Sequence, residues 1–194
     1  MIQAMWWNCP MNKVMVIIGA ASGWLIDLRG LQNICKNFDV TAIGLDCAYY
    51  DHIDYFATYH IEDIKPYYRK RKNLGLNLDY KVVSHTDDYI KYNKEKTFRK
   101  LDLEGLRVDI VIPYKKPSGS SALLGVFLAL KLGYEKIVLC GCPMQGIIVK
   151  TNSKYDLFQK GWIPNKDMVM NKVKSMSGWT KEFLGEPTKE WIED

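Results

Sequence analysis

Short, continuously apolar runs alternate with amphipathic stretches along most of the chain. The first run, Lys13–Ile18, is rich in β-branched residues and ends at Gly19, which is typical of a strand buried on both faces of a parallel sheet. The stretch Trp24–Phe38 then carries leucine and isoleucine at helical spacing, with Asp27 early and Lys36 late, as the helix dipole favours. We therefore predict a strand, a Gly-rich turn and a helix as the first unit of the fold.

The same alternation continues towards the C-terminus. Further strands are predicted at Asp39–Leu45, Asp54–His60, Tyr80–Ser84, Val108–Ile112 and Lys136–Cys140, and further helices at Glu62–Leu74, at Ala122–Leu132 and around Trp179, Phe183 and Leu184. This order predicts an α/β fold, a single Rossmann-like domain over residues 1–194 with a mainly parallel sheet and helices on both faces. The hydrophobic residues show little periodicity at the start of the C-terminal region. Residues from about 146 to 194 are predicted to form a lid-like segment.

Size and composition fit one globular domain. The chain has 194 residues, 47% of them hydrophobic and 25% charged, which excludes wholesale disorder. Its net charge of +5 is compatible with an anionic ligand but falls short of a dedicated nucleic-acid binder. No apolar run reaches the roughly 20 residues of a membrane helix, and the N-terminus lacks the order of a signal peptide. We expect a cytoplasmic protein without a membrane span, and leave open whether it forms a homo-oligomer.

The cysteines favour reduced thiols over disulfides or a metal site. Their number is odd and they are scattered over predicted strands, helices and loops: Cys9, Cys35, Cys47, Cys140 and Cys142. The last two form C-x-C, but no second Cys or His pair has zinc spacing. We predict no metal and no bound cofactor.

Small and polar residues follow the predicted strands at their carboxyl ends, where open parallel sheets bind ligands. The turn Gly19–Gly23 precedes a helix whose first amides can hold a phosphate or ribose, and Asp46 follows the second strand. Two other interpretations stay open. The turn lacks the full G-x-G-x-x-G fingerprint and also fits a close-packed strand–helix connection, while Asp46 also fits a helix N-cap.

A second loop of this kind lies within Pro113–Gly146. It combines cations, hydroxyls and a glycine directly before a helix, a set that suits a phosphate: Lys115, Lys116, Ser118, Gly119, Ser120 and Ser121. Gly133 is predicted to supply the left-handed C-cap of that helix. The next strand leads into Gly141 and Met144, which we place at the same edge as Gly19 and Asp46.

A third candidate cradle is the Ser-Met-Ser-Gly element near the C-terminus. Ser175 and Ser177 precede a short helix, and Lys172 and Lys174 come just before them. We predict that the serines contact the nucleotide and that the four lysines 115, 116, 172 and 174 stabilise its phosphate. The alternative is a simple capped helix.

One histidine and two basic stretches complete the candidates. His60 ends the third predicted strand, where an imidazole can act as an acid or base, although a histidine there also fits a helix cap. The run Arg69–Lys72 fits a nucleic-acid patch or a solvated helix end. Residues His85–Gly105 fit a mobile basic flap or a variable surface excursion.

One segment resembles a known family. Within residues 118–141, the letters S-G-S-S-A-L-L-G and A-L-K-L-G-Y-E-K-I-V-L-C-G are similar to the T/S-S-G and A-L-G-Y-K-E-I-Y-L-S-G segment of the superfamily of bacterial sialyltransferases and MptE-like proteins. GAAS after the first strand and DYFATYH also resemble it, and SMSGWTKEFLGEPTKEW is similar to small phage-borne members. The likeness spans about 14–141 and the tail, but only the 118–141 motif is specific.

The resemblance implies a Rossmann-like nucleotide site, which takes a CMP-sugar in the sialyltransferases. Matched residue by residue, it assigns Gly19, Ala21 and Ser22 to a first loop and Asp46 to a ribose or base position. It assigns Gly119, Ser120 and Ser121 to a second loop. The chain departs from the pattern in having Ala20-Ala21-Ser22 in place of Asn before Pro-Ser, and Asp46 in place of Asn. The SMSG stretch also lacks the family's catalytic histidine, which leaves His60 as the candidate base.

The function expected from these features is that of a metal-independent, nucleotide-sugar-dependent glycosyltransferase-like enzyme. The chain has no D-x-D motif, so lysines and helix N-termini would have to stabilise the departing phosphate. Two alternatives stay open. One is an MptE-like pyrophosphoryl or nucleotide transferase, and the other is a non-catalytic protein that binds a nucleotide or nucleic acid.

Overall fold

The central strand, β1 (Val14–Ile18), is covered on both faces because all five of its residues are apolar and buried. The computed structural model describes residues 14–85, 108–113, 120–145 and 153–194. Six more strands join β1 in one sheet: β2 (Asp39–Ala42), β3 (Tyr55–Ala57), β4 (Lys81–His85), β5 (Ile110–Ile112), β6 (Lys136–Cys140) and β7 (Val173–Ser175). Their order is β5-β4-β3-β2-β1-β6-β7, and every neighbouring pair is parallel. The predicted α/β class with a parallel sheet is confirmed.

The helices lie on both faces of this sheet. In the described part of the chain they are α1 (Trp24–Gln32), α2 (Ile64–Asn73), α3 (Ser121–Lys131), α4 (Ser153–Trp162), α5 (Lys166–Val169), α6 (Gly178–Leu184) and α7 (Lys189–Glu193), with 3-10 turns at Leu45–Tyr49, Ile61–Asp63 and Ile163–Asn165. Gly133 follows α3 with φ of +88° and provides the predicted left-handed C-cap. Among the described residues, no helix combines a bilayer-spanning length with the apolar composition that lipid requires.

Alternate residues of each strand divide the core into two layers. Val14, Val16 and Ile18 of β1 pack with α1 and α2, whereas Met15 and Ile17 pack with α3. The nearly continuous apolar surface of α3 lies across the sheet, and a Cβ atom at Gly125 would meet the Ile17 side chain at 3.2 Å. A residue's position along its strand therefore tells which side of the sheet it faces.

Two parts of the C-terminal region differ from the predicted pattern. Residues 173–175, which the pattern assigns to a lid-like segment, form the edge strand β7 and pair with β6. This strand has three residues, Val-Lys-Ser, so it carries no apolar run, and β6 is its pairing partner in the sheet. Helix α4 is also absent from the prediction.

The basic run Arg69–Lys72 is not a uniform solvated helix end. Arg71 is fully buried, and its guanidinium donates to the carbonyl oxygens of Ala48 at 3.3 Å, Asp51 at 2.7 Å and Asn77 at 2.8 Å. Lys70 Nζ donates to the Leu45 carbonyl at 3.1 Å. Lys70 and Arg71 therefore hold the β2–β3 connection to α2. This corrects the two predictions for Arg69–Lys72, a nucleic-acid patch and a solvated helix end, which both treat the run as an exposed cationic surface.

Candidate functional site

The order of the strands reverses between β1 and β6. The chain builds the sheet outwards from β1 to β5 and then returns to place β6 on the other side of β1. Because all seven strands are parallel, their carboxyl ends share one edge, and such a reversal is where open α/β sheets form a ligand crevice. The predicted site residues Gly19 and Gly141 directly follow β1 and β6 at this point.

The two glycines pack against each other and leave little space between them. Gly19 N donates to Cys140 O at 2.7 Å, and a Cβ at Gly19 would lie 2.3 Å from the Gly141 carbonyl oxygen. Gly141 has φ of +66°, and its Cβ would lie 2.3 Å from Trp24 Cβ. These glycines serve close backbone packing. The open part of the turn is Ser22 and Gly23, since Ser22 is exposed and nothing lies within 4 Å of a Cβ at Gly23.

A carboxylate already occupies the amino end of α1. Asp27 Oδ2 accepts hydrogen bonds from Gly141 N at 2.7 Å and from Ser177 Oγ at 2.6 Å. Ala21 N donates to Gly141 O at 3.2 Å, so the turn and the β6 loop are joined here. A negative charge complements the helix dipole and opposes a second anion at the same place. Asp27 makes the β1–α1 turn a poor phosphate cradle.

The Ser-Met-Ser-Gly element joins β7 and α6 to the β6 loop. Ser175 Oγ lies 2.8 Å from Thr180 Oγ1, which donates to Cys142 O at 2.7 Å. Ser177 is committed to Asp27, and a Cβ at Gly178 would lie 2.3 Å from Pro143 Cβ. The predicted nucleotide contacts at Ser175 and Ser177 are hydroxyls already used inside the protein.

The lysines before that element are also engaged elsewhere. Lys172 comes just before β7 at the opposite edge of the sheet, and its Nζ lies 2.8 Å from Glu135 Oε1. Lys174 Nζ donates to Leu184 O at 2.8 Å, at the carboxyl end of α6. Among the described residues, these two ammonium groups bond to Glu135 and Leu184 and not to the predicted phosphate-binding loops.

Asp46 and His60 lie at the carboxyl edge but face solvent. Asp46 is exposed within the 3-10 turn Leu45–Tyr49. The His60 side chain is 64% exposed, and its Nδ1 lies 3.3 Å from Glu62 Oε1. His60 also occupies the N-cap position of the 3-10 turn Ile61–Asp63, which was its alternative interpretation, but its side chain makes no capping hydrogen bond.

On the α3 side of the edge, the structure brings Ser120 and Met144 together. Ser120 is 3% exposed, has extended backbone angles before α3 and donates from Oγ to Met144 Sδ at 3.7 Å. Ser121 begins α3, whose first amides have no intrahelical acceptor. Met144 has φ of +48°, a conformation that concentrates at functional sites in proteins. Among the described residues, Ser120 and Met144 are the predicted site residues from α3 and the β6 loop that lie in contact.

Several predicted residues lie outside the described part of the chain. They are Lys115, Lys116, Ser118 and Gly119, together with most of the basic stretch, residues 86–105. The described neighbours of these segments are His85 at the end of β4, Val108 before β5, Pro113 after β5 and Ser120 before α3.

His85 is a residue that the sequence prediction assigns only to the start of the basic stretch. It is the last residue of β4 and is 4% exposed. Its ring packs edge-on against Tyr59, with ring centroids 4.6 Å apart and an interplanar angle of 67°. The signal in the sequence is the run Lys81–His85, in which a histidine directly ends an apolar strand, as at the carboxyl edge of a parallel sheet.

The cysteines near the switch point are buried thiols. Cys35, Cys47, Cys140 and Cys142 are free, and Cys47 Sγ donates to the carbonyls of Ile18 at 3.1 Å and Gly19 at 3.0 Å. Burial raises the pKa of Cys47 to about 12, and it also raises the pKa of Cys142. The described residues contain no group of three His, Cys, Asp or Glu side chains arranged to hold a metal ion. These thiols therefore pack as apolar side chains.

Comparison of the chain with protein-family models, with curated proteins and with solved structures found no match. The functional argument therefore depends on the fold, on the residues at the carboxyl edge and on the resemblance of residues 118–141.

Proposed function

We propose that the protein binds a nucleotide sugar at the carboxyl edge of its sheet and transfers the sugar to an acceptor hydroxyl, as a metal-independent glycosyltransferase-like enzyme. The observation that carries the proposal is the reversal of strand order between β1 and β6 in an all-parallel sheet. The segment that resembles sialyltransferases and MptE-like proteins supports the proposal. The described part of this segment contains α3 and β6, and β6 is one of the two strands at the reversal.

The charges favour the α3 side of this edge as the phosphate position. Asp27 places a carboxylate at the amino end of α1, while the first turn of α3 begins at Ser121 with no acidic residue. An anion is stabilised at the positive end of a helix dipole and destabilised beside a carboxylate. We infer that the nucleotide phosphates lie beside Ser120 and Ser121, with Met144 next to them.

The experiment is a binding and turnover screen with the intact chain. CMP, UDP, GDP and AMP and the corresponding nucleotide sugars are added at about 100 times an expected Kd, where a bound ligand stabilises the fold by about 2.7 kcal/mol. Thermal shift reports binding, and release of free nucleotide from its sugar conjugate reports hydrolysis or transfer. We expect at least one nucleotide sugar to bind and to release its nucleotide.

Other results in the same screen would contradict this proposal. Formation of AMP from ATP with Mg²⁺ would identify the pyrophosphoryl-transfer alternative. Binding of oligonucleotides with steep salt dependence, together with no binding of mononucleotides, would identify a nucleic-acid-binding protein.

A further inference from the structure

Asp27 is a carboxylate that the fold holds in place at the carboxyl ends of β1 and β6. It accepts hydrogen bonds from Gly141 N at 2.7 Å and from Ser177 Oγ at 2.6 Å, and both are made to the same oxygen, Oδ2. The residue is half-buried, and within the described part of the chain no donor bonds to its second oxygen, Oδ1. A carboxylate oxygen of this kind can accept a hydrogen bond or a proton from a ligand.

The space beside Asp27 is open towards the amino end of α1. Gly23 lies one helical turn before Asp27, whose amide donates to Gly23 O at 3.0 Å. Side chains of an α-helix lean towards its amino end, so the Asp27 side chain leans towards the turn that contains Gly23. A Cβ atom at Gly23 would meet nothing within 4 Å, and Ser22 beside it is exposed. A ligand hydroxyl can therefore approach Asp27 from this side.

Asp27 and the proposed phosphate position lie on opposite walls of the crevice between β1 and β6. Helix α1 packs on one face of the sheet and α3 on the other. The β6 loop joins the two walls, because Gly141 N donates to Asp27 and Met144 Sδ accepts from Ser120 Oγ. Gly141 and Met144 are three positions apart in the chain, so their Cα atoms are separated by at most about 11 Å. A nucleotide whose phosphate lies beside Ser120 thus brings its sugar towards Asp27.

We propose that the acceptor hydroxyl binds beside Asp27 and that Asp27 Oδ1, and not His60, is the base that takes its proton; this inference rests on the proposed glycosyl transfer. The acceptor oxygen attacks the anomeric carbon while its proton passes to Oδ1. The bond from that carbon to the phosphate oxygen breaks, and its electron pair leaves with the nucleotide. Asp27 then releases the proton to water, so that the glycosylated acceptor and the free nucleotide are the products.

The positions of the two candidate bases favour Asp27. His60 follows β3, which β2 separates from β1, and its side chain is 64% exposed beside Glu62. Asp27 bonds directly to the loop that follows β6, at the reversal of strand order. Its negative charge opposes a phosphate at the same place and suits a group that donates a proton. The charge that makes the β1–α1 turn a poor phosphate cradle therefore suits the acceptor.

The first test is Asp27→Asn, which keeps an oxygen to accept from Gly141 N and Ser177 Oγ but removes the base. We expect a Tm within about 4 °C of the wild type. We also expect the dissociation constant of the nucleotide sugar from the binding screen to stay within about threefold, while release of its nucleotide slows by about 10² to 10⁴. The matched control is Asp51→Asn, at an exposed position of the β2–β3 connection, which should change the rate by less than about twofold.

The second test adds azide, an anionic nucleophile that needs no base. We expect azide to speed nucleotide release by Asp27→Asn at least tenfold, with the glycosyl azide detected by mass spectrometry, and to change the wild-type rate little. A loss of structure would not be restored in this way, so an Asp27→Asn protein that stays inactive with azide would overturn the inference.

The remaining outcomes separate this inference from the proposed function. If Asp27→Asn retains full turnover, or if His60→Gln shows the loss expected of Asp27→Asn, the inference fails and the proposed function stands. If the wild-type protein binds or turns over no nucleotide sugar, both fail.

Discussion

At the residue scale, the most unusual feature is a cation buried without a carboxylate beside it in the described structure. Arg71 has no exposed surface, and its guanidinium donates to carbonyl oxygens in the β2–β3 connection and after α2. A guanidinium can serve this purpose because its donors form a planar fork that stays charged. Arg71 thus hydrogen-bonds the β2–β3 connection to the segment that follows α2.

Replacing Arg71 by methionine is expected to lower the free energy of unfolding by about 3 kcal/mol, because carbonyl acceptors lose their charged donor. Urea unfolding followed by circular dichroism measures the loss. The matched control is Lys72→Met, the next residue of α2, which is exposed and should change stability by less than about 0.5 kcal/mol. Equal effects of the two substitutions would contradict the structural role of Arg71.

At the scale of elements, the β1–α1 turn packs closely against the β6 loop. Gly19 lies against the backbone of the β6 loop, while Gly23 at the N-cap of α1 has open space around its Cα. Asp27 and Ser177 then connect the first helix to the edge strand, across 150 residues of sequence. Of the two glycines in this turn, Gly19 serves close packing between two loops of the protein, and Gly23 does not.

Gly19 and Gly23 should therefore respond differently to replacement by serine. Gly19→Ser would place Cβ about 2.3 Å from a carbonyl oxygen, and we expect it to cost about 2 kcal/mol or more. Gly23→Ser adds a favoured N-cap residue in open space and should leave stability unchanged within about 0.5 kcal/mol. Thermal unfolding of both variants gives the comparison, and a tolerated Gly19→Ser would show that the loops are not packed as described.

At the scale of the whole molecule, buried phenols and thiols make the fold sensitive to alkali. Burial raises the pKa of Tyr80 to about 12 and raises those of Tyr67 and Tyr134 further. The Tyr134 hydroxyl also donates to Asp39 Oδ2, which keeps its proton in place. The folded state thus holds protons that the unfolded chain releases near pH 10.

Because the folded pKa values lie above the unfolded ones, this contribution to stability is complete below about pH 10 and is lost as pH rises through about 12. We expect the urea midpoint to fall steadily between about pH 10 and pH 12 at constant ionic strength. Tyr134→Phe removes one of the titrating groups, so its midpoint should fall less steeply than that of the wild type over the same interval. A midpoint independent of pH over this interval would contradict the burial of these groups.

The sequence predicts most of the sheet because buried parallel strands appear as apolar runs, as β1 and β6 do. Strand β7 is different, since Val-Lys-Ser has no such signal and its place depends on pairing with β6. The same limit applies to the site. Asp27 fits a helix dipole in the sequence, and only the folded chain places it against Gly141 and Ser177. Arg71 lies beside the exposed Lys72, and polar residues follow His85 in the sequence, so the burial of Arg71 and His85 requires tertiary contacts.

The central claim is that the nucleotide phosphate binds at the amino end of α3 and not at that of α1. It is tested most directly by calorimetric titration of one nucleotide into a matched pair of variants, Ser121→Asp and Ser22→Asp, each of which adds a carboxylate at the amino end of a helix. A carboxylate there suits either helix dipole, so both variants should remain folded. We predict at least tenfold weaker binding for Ser121→Asp and a change below about twofold for Ser22→Asp. The reverse order, or no saturable binding to the wild-type protein, would contradict the claim.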